Sequence, residues 1–316
     1  MIKILNAEPE EYSDQARNIL KSIGKLYEKK LSRKELLHCL HNYDVLIVRL
    51  GVKVDKEIID AGKNLKIIVT ATTGLDHINV EYANSKGIKV LSLFGQTEFL
   101  KEIRATAELT IGIALSLLRH IPEAANSVKN GIWDRYQFKG YELYNKTAGI
   151  IGMGRLGTIV AGLFKAFGMK VIGYDLRVDN KIENAERVDS IDELLSKSDI
   201  ISLHVNLNEK SNNLLSKKEF SIMKLDAILI NTSRGGIIDE DALLEALIKK
   251  TIAGAALDVI SGEPEISTDH PLINYARNHS NLIIVPHIGG NTYESFIKTE
   301  VFMANLLNKT IKRIFQ

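Results

Sequence analysis

Short runs of Val, Ile and Leu recur along the whole chain, and stretches with helical spacing of apolar residues separate them. Continuous apolar runs of this kind are typical of parallel strands that are buried on both faces. The pattern predicts strands at residues 2–6, 44–50, 65–71, 89–94, 147–153, 170–175, 199–205, 227–232, 252–259 and 281–287. Because the strands alternate with amphipathic helices, we expect doubly wound α/β sheets.

This number of strands exceeds what one open sheet usually holds, so we expect two sheets in two domains. One long helical stretch, over residues 102–130, separates the two groups of strands, and another, over 292–313, follows the last strand. We expect the last helix to return to the first group. The predicted architecture is α/β, with two doubly wound, Rossmann-like parallel-sheet domains and a cleft between them. The first domain combines residues 1–103 with 291–316, and the second covers 104–290.

The composition is that of a globular protein and narrows the classes of partner. Of the 316 residues, 45% are hydrophobic and 25% are charged, with a formal net charge of +2. Basic and acidic residues are interspersed, so we expect no nucleic-acid partner. No apolar run approaches the roughly 18 residues of a membrane span, and the single Cys39 has no partner for a disulfide or a metal site. We therefore expect a cytoplasmic protein with no membrane partner and no bound metal.

Gly152, Gly154 and Gly157 form a G-x-G-x-x-G pattern between a predicted strand and an amphipathic helix. In a dinucleotide-binding turn the first glycine permits the bend, the second lets the backbone approach a pyrophosphate, and the third lets helix and strand pack closely. The N–H groups of Arg155 and Leu156 would then face the phosphates at the helix N-terminus. The alternative is a glycine turn with a purely structural role, which the order of strand, glycines and helix disfavours.

The strand that follows this helix ends in Asp175. A carboxylate at this position accepts hydrogen bonds from ribose hydroxyls and repels the 2′-phosphate of NADP. The expected cofactor is therefore NAD(H). Arg177 weakens this preference slightly, because an arginine near the ribose can accommodate a phosphate.

Arg234, Glu263 and His287 each follow the end of a predicted strand in the second domain. Ligands bind at the carboxyl ends of strands in open α/β sheets. Taken singly, each residue has an ordinary structural or surface interpretation. Together they are the groups that hydride transfer to or from an alcohol requires. Imidazole exchanges a proton near neutral pH, a carboxylate fixes its tautomer, and a guanidinium binds a substrate carboxylate.

At this point the sequence resembles the NAD-dependent D-isomer-specific 2-hydroxyacid dehydrogenases, over nearly its whole length. The family includes D-3-phosphoglycerate, glycerate, hydroxypyruvate/glyoxylate and phosphite dehydrogenases. The motifs that carry the resemblance keep the family's order and spacing: TTGLDHI (72–78), ATAELTIG (105–112), GIIGMGRLG (149–157), INTSRGGIIDEDAL (230–243), ALDVISGEP (256–264) and VPHIGG (285–290). The resemblance implies a flavodoxin-like substrate-binding domain, an NAD-binding Rossmann domain, and a homodimer through the NAD-binding domain.

The resemblance also implies a role for each matched residue. His287 would be the acid/base and Glu263 its partner, while Arg234 would bind the substrate carboxylate and polarise the carbonyl. The backbone N–H groups of Thr73 and Gly74 would bind the same carboxylate. Besides the glycine turn and the ribose carboxylate, the matched residues at the cofactor would be Thr106, Thr232, Asp258 and Gly290.

Two departures from the family pattern bear on the substrate, which we expect to be a small 2-hydroxy or 2-keto acid. The run from Arg49 to Val52 stands where the family often has Arg-Ser-x-Thr, so both hydroxyls are missing. The loop at residues 92–109 is longer than the common form. Both changes count against phosphoglycerate and glyoxylate as preferred substrates.

Two other functions stay open beside an NAD-dependent D-2-hydroxyacid dehydrogenase. A phosphite-type dehydrogenase would take hydride from phosphorus, and ATAELTIG (105–112) resembles the motif of those enzymes too. An NAD-sensing scaffold, like the related transcriptional corepressors, would keep the same charged residues without turnover.

Overall fold

The computed structural model describes residues 1–177 and 182–314. The strands are β1 (Lys3–Asn6), β2 (Lys25–Glu28), β3 (Val45–Val48), β4 (Ile67–Thr70), β5 (Lys89–Leu91), β6 (Thr147–Ile151), β7 (Lys170–Tyr174), β8 (Glu186–Arg187), β9 (Ile200–Leu203), β10 (Ile228–Asn231), β11 (Gly254–Leu257) and β12 (Leu282–Ile284).

The helices are α1 (Asp14–Ile23), α2 (Arg33–Cys39), α3 (Lys56–Ala61), α4 (Val80–Ser85), α5 (Thr97–Leu100), α6 (Ala105–Leu118), α7 (Ile121–Lys129), α8 (Arg155–Ala166), α9 (Ile191–Lys197), α10 (Lys217–Ile222), α11 (Glu240–Ile248), α12 (Pro271–Ala276) and α13 (Tyr293–Ile314). Within the described ranges, no helix is both long and apolar enough to cross a membrane.

The chain forms two compact units. The split unit comprises Met1–Ile103 and Thr292–Gln316, and the central unit comprises Arg104–Asn291. The split unit contains a sheet of five parallel strands in the order β2-β1-β3-β4-β5, and the central unit contains one of seven in the order β12-β11-β10-β9-β6-β7-β8. The predicted pair of parallel α/β sheets is confirmed.

In the central unit the strand order reverses between β6 and β9, which are neighbours in the sheet. Ligands of doubly wound sheets bind at the carboxyl end of such a switch point. The strands there are buried on both faces. Ile150 and Ile151 point to opposite sides of the sheet, and each is at most 1% exposed. This explains why β6 reads as a continuous apolar run in the sequence.

Two strands escaped the sequence prediction, β2 and β8. Both lie at the edge of a sheet, and their residues are half-buried or exposed. Edge strands are covered less completely than central ones and tolerate charged side chains. The apolar runs that indicate central strands are therefore missing from KLYE and ER.

The helical stretch predicted over roughly residues 102–130 is helical but not continuous. It is two helices, α6 and α7, because His120 adopts a left-handed conformation with φ of 51° between them. Pro122 lies in the first turn of α7, where its missing N–H removes no hydrogen bond.

The last helix, α13, runs unbroken from Tyr293 and packs on α1. It contributes buried apolar side chains to the core that covers one face of the sheet in the split unit: Met303, Ala304, Leu307 and Ile311. The C-terminal segment is therefore part of the same core as the N-terminal strands.

Candidate active site

The glycine turn lies between β6 and α8, at the switch point of the sheet in the central unit. Gly152 has φ of 96°, and a Cβ there would lie 2.4 Å from the carbonyl oxygen of His204. A Cβ on Gly157 would lie 2.0 Å from the carbonyl oxygen of Gly152. Neither position has room for a side chain, so the turn and the helix pack in direct contact.

Gly154 differs from these two glycines, since a Cβ there would meet no heavy atom within 4 Å. The packing of the protein itself therefore does not require this glycine. Gly154 is also the N-cap of α8, and as a glycine it makes no side-chain hydrogen bond to the helix. An open glycine beside a helix N-terminus fits the pyrophosphate of a dinucleotide. Arg155 begins the helix, and burial lowers the pKa of its guanidinium.

Asp175 follows β7 and is 9% exposed. Its Oδ2 accepts the N–H of Met153 at 3.0 Å, so the carboxylate lies against the glycine turn. Its Oδ1 accepts the N–H of Arg177 at 2.9 Å and the Nε of the same residue at 3.3 Å. The carboxylate is thus held at the end of β7, the strand that follows the glycine turn and α8. This is the position where a dinucleotide-binding sheet binds the ribose.

His287 and Glu263 form a hydrogen-bonded pair, with 2.8 Å between Nδ1 and Oε2. Each of the two side chains is about one-quarter exposed to solvent. His287 follows β12 and Glu263 follows β11, and these two strands are neighbours. Because the carboxylate accepts from Nδ1–H, the pair leaves Nε2 to exchange a proton with a ligand.

The backbone of His287 is left-handed, with φ of 53°. This conformation is costly for a residue with a side chain and persists where its surroundings hold it. Asp258 provides that support. Its carbonyl oxygen accepts the His287 N–H at 2.8 Å, and its carboxylate accepts the N–H groups of Ile288 at 2.6 Å and Gly289 at 2.9 Å. Burial raises the pKa of the Asp258 carboxyl, and these two N–H groups oppose the shift.

The loop that carries Arg234 is built by the side chain of Asn231, which is fully buried at the end of β10. Its amide donates to the carbonyl of Arg234 at 2.9 Å and accepts the N–H of Ser233 at 2.9 Å. A Cβ on Gly235 would lie 2.2 Å from the carbonyl carbon of Ile260. The Arg234 loop therefore lies directly against the segment that leads to Glu263.

The predicted cofactor residues Thr106 and Thr232 are joined through Thr110. The hydroxyls of Thr110 and Thr232 lie 2.9 Å apart, and the Thr110 hydroxyl donates to the carbonyl of Thr106 at 2.8 Å. A Cβ on Gly289 would lie 3.1 Å from the Thr106 side chain and 2.7 Å from the Asp258 carboxylate. Thr106, Thr232 and Asp258 thus surround one small region, and Gly290 is exposed next to it.

His204 follows β9, beside the glycine turn. Its Nε2 lies 2.9 Å from the hydroxyl of Ser202. The residue keeps some exposed surface, but its Nδ1 is buried and has no hydrogen-bond partner among the described residues. Burial lowers the pKa of His204 to about 3. The ring is therefore neutral at any ordinary pH and adds no positive charge beside the glycine turn.

Thr73 and Gly74 belong to the split unit, in the loop after β4. Thr73 is exposed and Gly74 is half-buried. The Thr72 hydroxyl donates to the carbonyl of Gly74 at 2.8 Å and lies 3.0 Å from the hydroxyl of Thr70. This chain of hydrogen bonds holds the loop. That Thr73 and Gly74 bind the same substrate as Arg234 stays a prediction.

Residues 111–289 match the family model of the D-isomer specific 2-hydroxyacid dehydrogenase, NAD binding domain. The chain belongs to the D-isomer specific 2-hydroxyacid dehydrogenases. The matched segment contains the glycine turn together with Arg234, Glu263 and His287.

Among curated members of the family, the D-3-phosphoglycerate dehydrogenase of Methanocaldococcus jannaschii is 40% identical over 316 residues, which is 99% of this chain and 58% of that one. This chain thus spans well under two thirds of that relative. The hydroxypyruvate reductase of Thermotoga maritima is 42% identical over 265 residues and 84% of each chain. The crystal structure of D-lactate dehydrogenase from Aquifex aeolicus, complexed with NAD and lactic acid, superposes with a TM-score of 0.84 at 28% identity and covers 99% of this chain and 96% of that one.

Several residues that shape the candidate site were not singled out in the sequence. They are Thr110, Asn231, Ser233 and His204. Asn231 could have been found, because an asparagine at the end of a buried strand followed by Thr-Ser commonly forms a side-chain turn. Thr110 and His204 carry no such local signal, since their partners come from other strands and helices.

Proposed function

We propose that this chain is an NAD-dependent oxidoreductase that interconverts a small D-2-hydroxy acid and its 2-keto acid by hydride transfer. The observation that carries the proposal is the 2.8 Å pair of His287 and Glu263. The pair follows two neighbouring strands, and the Arg234 loop follows the third. The family membership and the substrates in the names of its relatives support the same reaction class.

In this proposal His287 moves the proton and Arg234 binds the acid. When a 2-keto acid is reduced, the protonated imidazole donates from Nε2 to the forming alkoxide, and when a hydroxy acid is oxidised, the neutral ring accepts the hydroxyl proton. Glu263 fixes the tautomer through Nδ1 and favours the protonated ring. A bound nicotinamide would supply or accept the hydride. Arg234 provides a fork of donors that suits a carboxylate.

We assign the cofactor site to the central unit and substrate selection to the split unit. The glycine turn would hold the pyrophosphate, and Asp175 would accept the ribose hydroxyls. The carboxylate of Asp175 supports NAD(H) over NADP(H), because a 2′-phosphate there would meet a negative charge. Thr106, Thr232, Asp258 and Gly290 would lie along the nicotinamide end, while Thr73 and Gly74 would bind the substrate carboxylate.

The test is NADH oxidation with a panel of 2-keto acids that contains pyruvate, hydroxypyruvate and glyoxylate. We expect turnover with at least one acid, and a D product on chiral analysis. A parallel reaction with phosphite and NAD separates the rival hydride donor. Turnover with phosphite alone would replace our proposal with a phosphite dehydrogenase. Binding of NADH without turnover of any acid would favour the sensing scaffold.

We also propose that the chain forms a homodimer through the central unit. No residue of α7 is buried, and Trp133 is 87% exposed. This helix and the segment after it carry a group of exposed large apolar side chains: Ile121, Val128, Ile132, Trp133, Tyr136, Tyr141 and Tyr144. An exposed apolar group of this size is typical of an interface rather than of a free surface.

The dimer is tested by measuring molar mass in solution by light scattering. We expect the wild type to be a dimer and Trp133→Asp to dissociate it. Leu225→Asp is the matched control, because Leu225 is also an exposed apolar residue, at 75%, and lies outside this segment. A monomeric wild type would refute the proposal.

A cytoplasmic location is proposed as well. The one cysteine, Cys39, is unpaired and half-buried, which suits a reducing compartment. Fractionation of cells that express the tagged chain would test it, and recovery outside the cytoplasm would contradict it.

A further inference from the structure

Arg49 stands at the carboxyl edge of the sheet in the split unit. It is the first residue after β3, and β3 is the neighbour of β4, with Val48 opposite Thr70. Arg49 is therefore in register with the start of the loop that contains Thr73 and Gly74. Since ligands of open α/β sheets bind at this edge, a free arginine here would attract a second anionic group on the substrate.

The guanidinium of Arg49 is not free. It pairs with the carboxylate of Glu300 on α13. Its Nη1 donates to the carbonyl of Glu10 at 3.0 Å. The guanidinium carbon lies 4.6 Å from the ring centre of Phe296 and 5.6 Å from that of Tyr12. Arg49 is thus held between two rings and a carboxylate.

Glu300 is 1% exposed. Its second carboxylate oxygen accepts the N–H of Ser13, the N-cap of α1, at 2.7 Å. Both oxygens therefore have partners, and the buried negative charge is balanced by Arg49. A buried carboxylate needs such a partner, and separating the two charges would leave one of them buried alone. The pair consequently resists opening when a ligand arrives.

The rest of the segment after β3 offers little for an anion. Leu50 and Val52 are half-buried apolar residues. Glu8 accepts the N–H groups of Arg49 at 2.5 Å and Gly51 at 3.0 Å, which places another negative charge beside the loop. Lys53 is the other cation of this segment, and it is exposed.

We propose that Glu300 makes the enzyme discriminate against 2-keto acids that carry a second anionic group, by neutralising Arg49 at the substrate edge. Glu300 is a positioning residue, since it acts through Arg49. This inference rests on the proposed function. It predicts that the preferred substrate has an uncharged side chain, in contact with the apolar surface of this edge.

The first test compares kcat/KM of the wild type for pyruvate and hydroxypyruvate with that for 3-phosphohydroxypyruvate and oxaloacetate. We expect the two uncharged side chains to be preferred by about tenfold or more, the size of one lost charge-assisted contact. Equal or better use of the phosphorylated acid would overturn the inference and leave the proposed function standing. No turnover with any acid would overturn both.

The second test releases Arg49 with Glu300→Gln, which keeps the size of the side chain and removes its charge. We expect KM for 3-phosphohydroxypyruvate to fall about tenfold, with little change in kcat, because the new contact forms in ground state and transition state alike. Values for pyruvate should change by less than about threefold. The double variant Arg49→Met with Glu300→Gln should lose the gain, and it also guards against poor folding of the single variant, since no buried charge is left unpaired.

The matched control is Glu57→Gln, which breaks another Glu–Arg pair of the split unit, at 2.6 Å from Arg33 on the surface. It should leave the ratio between charged and uncharged substrates unchanged. If Glu300→Gln folds and its ratio of kcat/KM between charged and uncharged keto acids equals that of the wild type, Glu300 does not set the substrate class. A gain that persists in the double variant would also reject the role of Arg49.

Discussion

The carboxyl edges of the two sheets hold their charges in opposite ways. In the central unit, His287 and Glu263 are hydrogen-bonded but each keeps about a quarter of its exposure. In the split unit, Arg49 is paired with Glu300, which is almost completely buried. The first pair is accessible enough to exchange a proton with a ligand. In the second pair the charge of Arg49 is already neutralised, so Arg49 offers no free positive charge to an anionic ligand. The difference separates the proposed chemistry from the proposed selection of substrate.

The largest expected effect comes from His287→Ala, which removes the imidazole of the accessible His287–Glu263 pair. Loss of a general acid–base group costs about 10²–10⁴-fold, so kcat should fall by that factor while the Kd of NADH stays unchanged. Steady-state kinetics and fluorescence titration measure the two quantities. His279→Ala is the control, since His279 is an exposed histidine stacked on Tyr275 with no proposed role in the reaction. Near-normal turnover in His287→Ala would remove His287 from the mechanism.

Arg234→Ala should lower kcat/KM for the keto acid by about a hundredfold, because one or two charge-assisted hydrogen bonds to the substrate are lost. Arg234→Lys should recover only part of this loss, since an ammonium group lacks the planar fork. Arg277→Ala, at an exposed arginine that contacts Asn274 and Thr268, serves as the control. An unchanged kcat/KM in Arg234→Ala would refute the role of Arg234.

Asp175→Ala should weaken NADH binding by about tenfold or more, the effect of losing charge-assisted hydrogen bonds to the ribose. The advantage of NADH over NADPH should narrow in the same variant, because the repulsion of a 2′-phosphate is removed. The Kd values of both cofactors measure this. A wild type that already prefers NADPH would show that our assignment of Asp175 is wrong.

The last prediction concerns stability instead of activity, and it follows from the neutral ring of His204. Its folded pKa of about 3 lies below the ordinary 6.5, so between these values the unfolded chain binds a proton that the folded chain does not. The contribution of the neutral His204 ring to the free energy of unfolding is fully present above pH 6.5. It falls by about 1.4 kcal/mol per pH unit as the pH drops towards 3. Urea unfolding at pH 7.5, 6 and 5 should show a shallower decline for His204→Gln. Parallel declines in the two proteins would mean that His204 is not the titrating group.

The fold was predictable where burial is two-sided. Strands such as β6 and β10 are covered on both faces and therefore appear as continuous apolar runs. The edge strands β2 and β8 were not predictable in the same way, because partial exposure allows polar residues. The break at His120 also escaped prediction, since a left-handed histidine has no distinctive sequence pattern.

The candidate site was predictable as a set of residues but not as a network. Arg234, Glu263 and His287 follow recognisable strands, so their residue types and order are visible in the sequence. The hydrogen bonds that hold these residues in place are not visible in the sequence. Asp258 was expected at the nicotinamide, and its carboxylate binds the N–H groups of Ile288 and Gly289. That contact depends on two strands lying side by side.

The sequence by itself determined the alternation of strands and helices, the glycine turn and the order of the charged strand ends, because periodicity and backbone freedom act over a few neighbouring residues. Only the tertiary structure decided which charges are paired. Arg49 and Glu300 are 251 positions apart, and their pairing exists because α13 packs on the N-terminal helix of the same unit. Pairing with the buried Glu300 neutralises Arg49 in the split unit, whereas His287 and Glu263 stay partly exposed in the central unit. No local pattern encodes that difference.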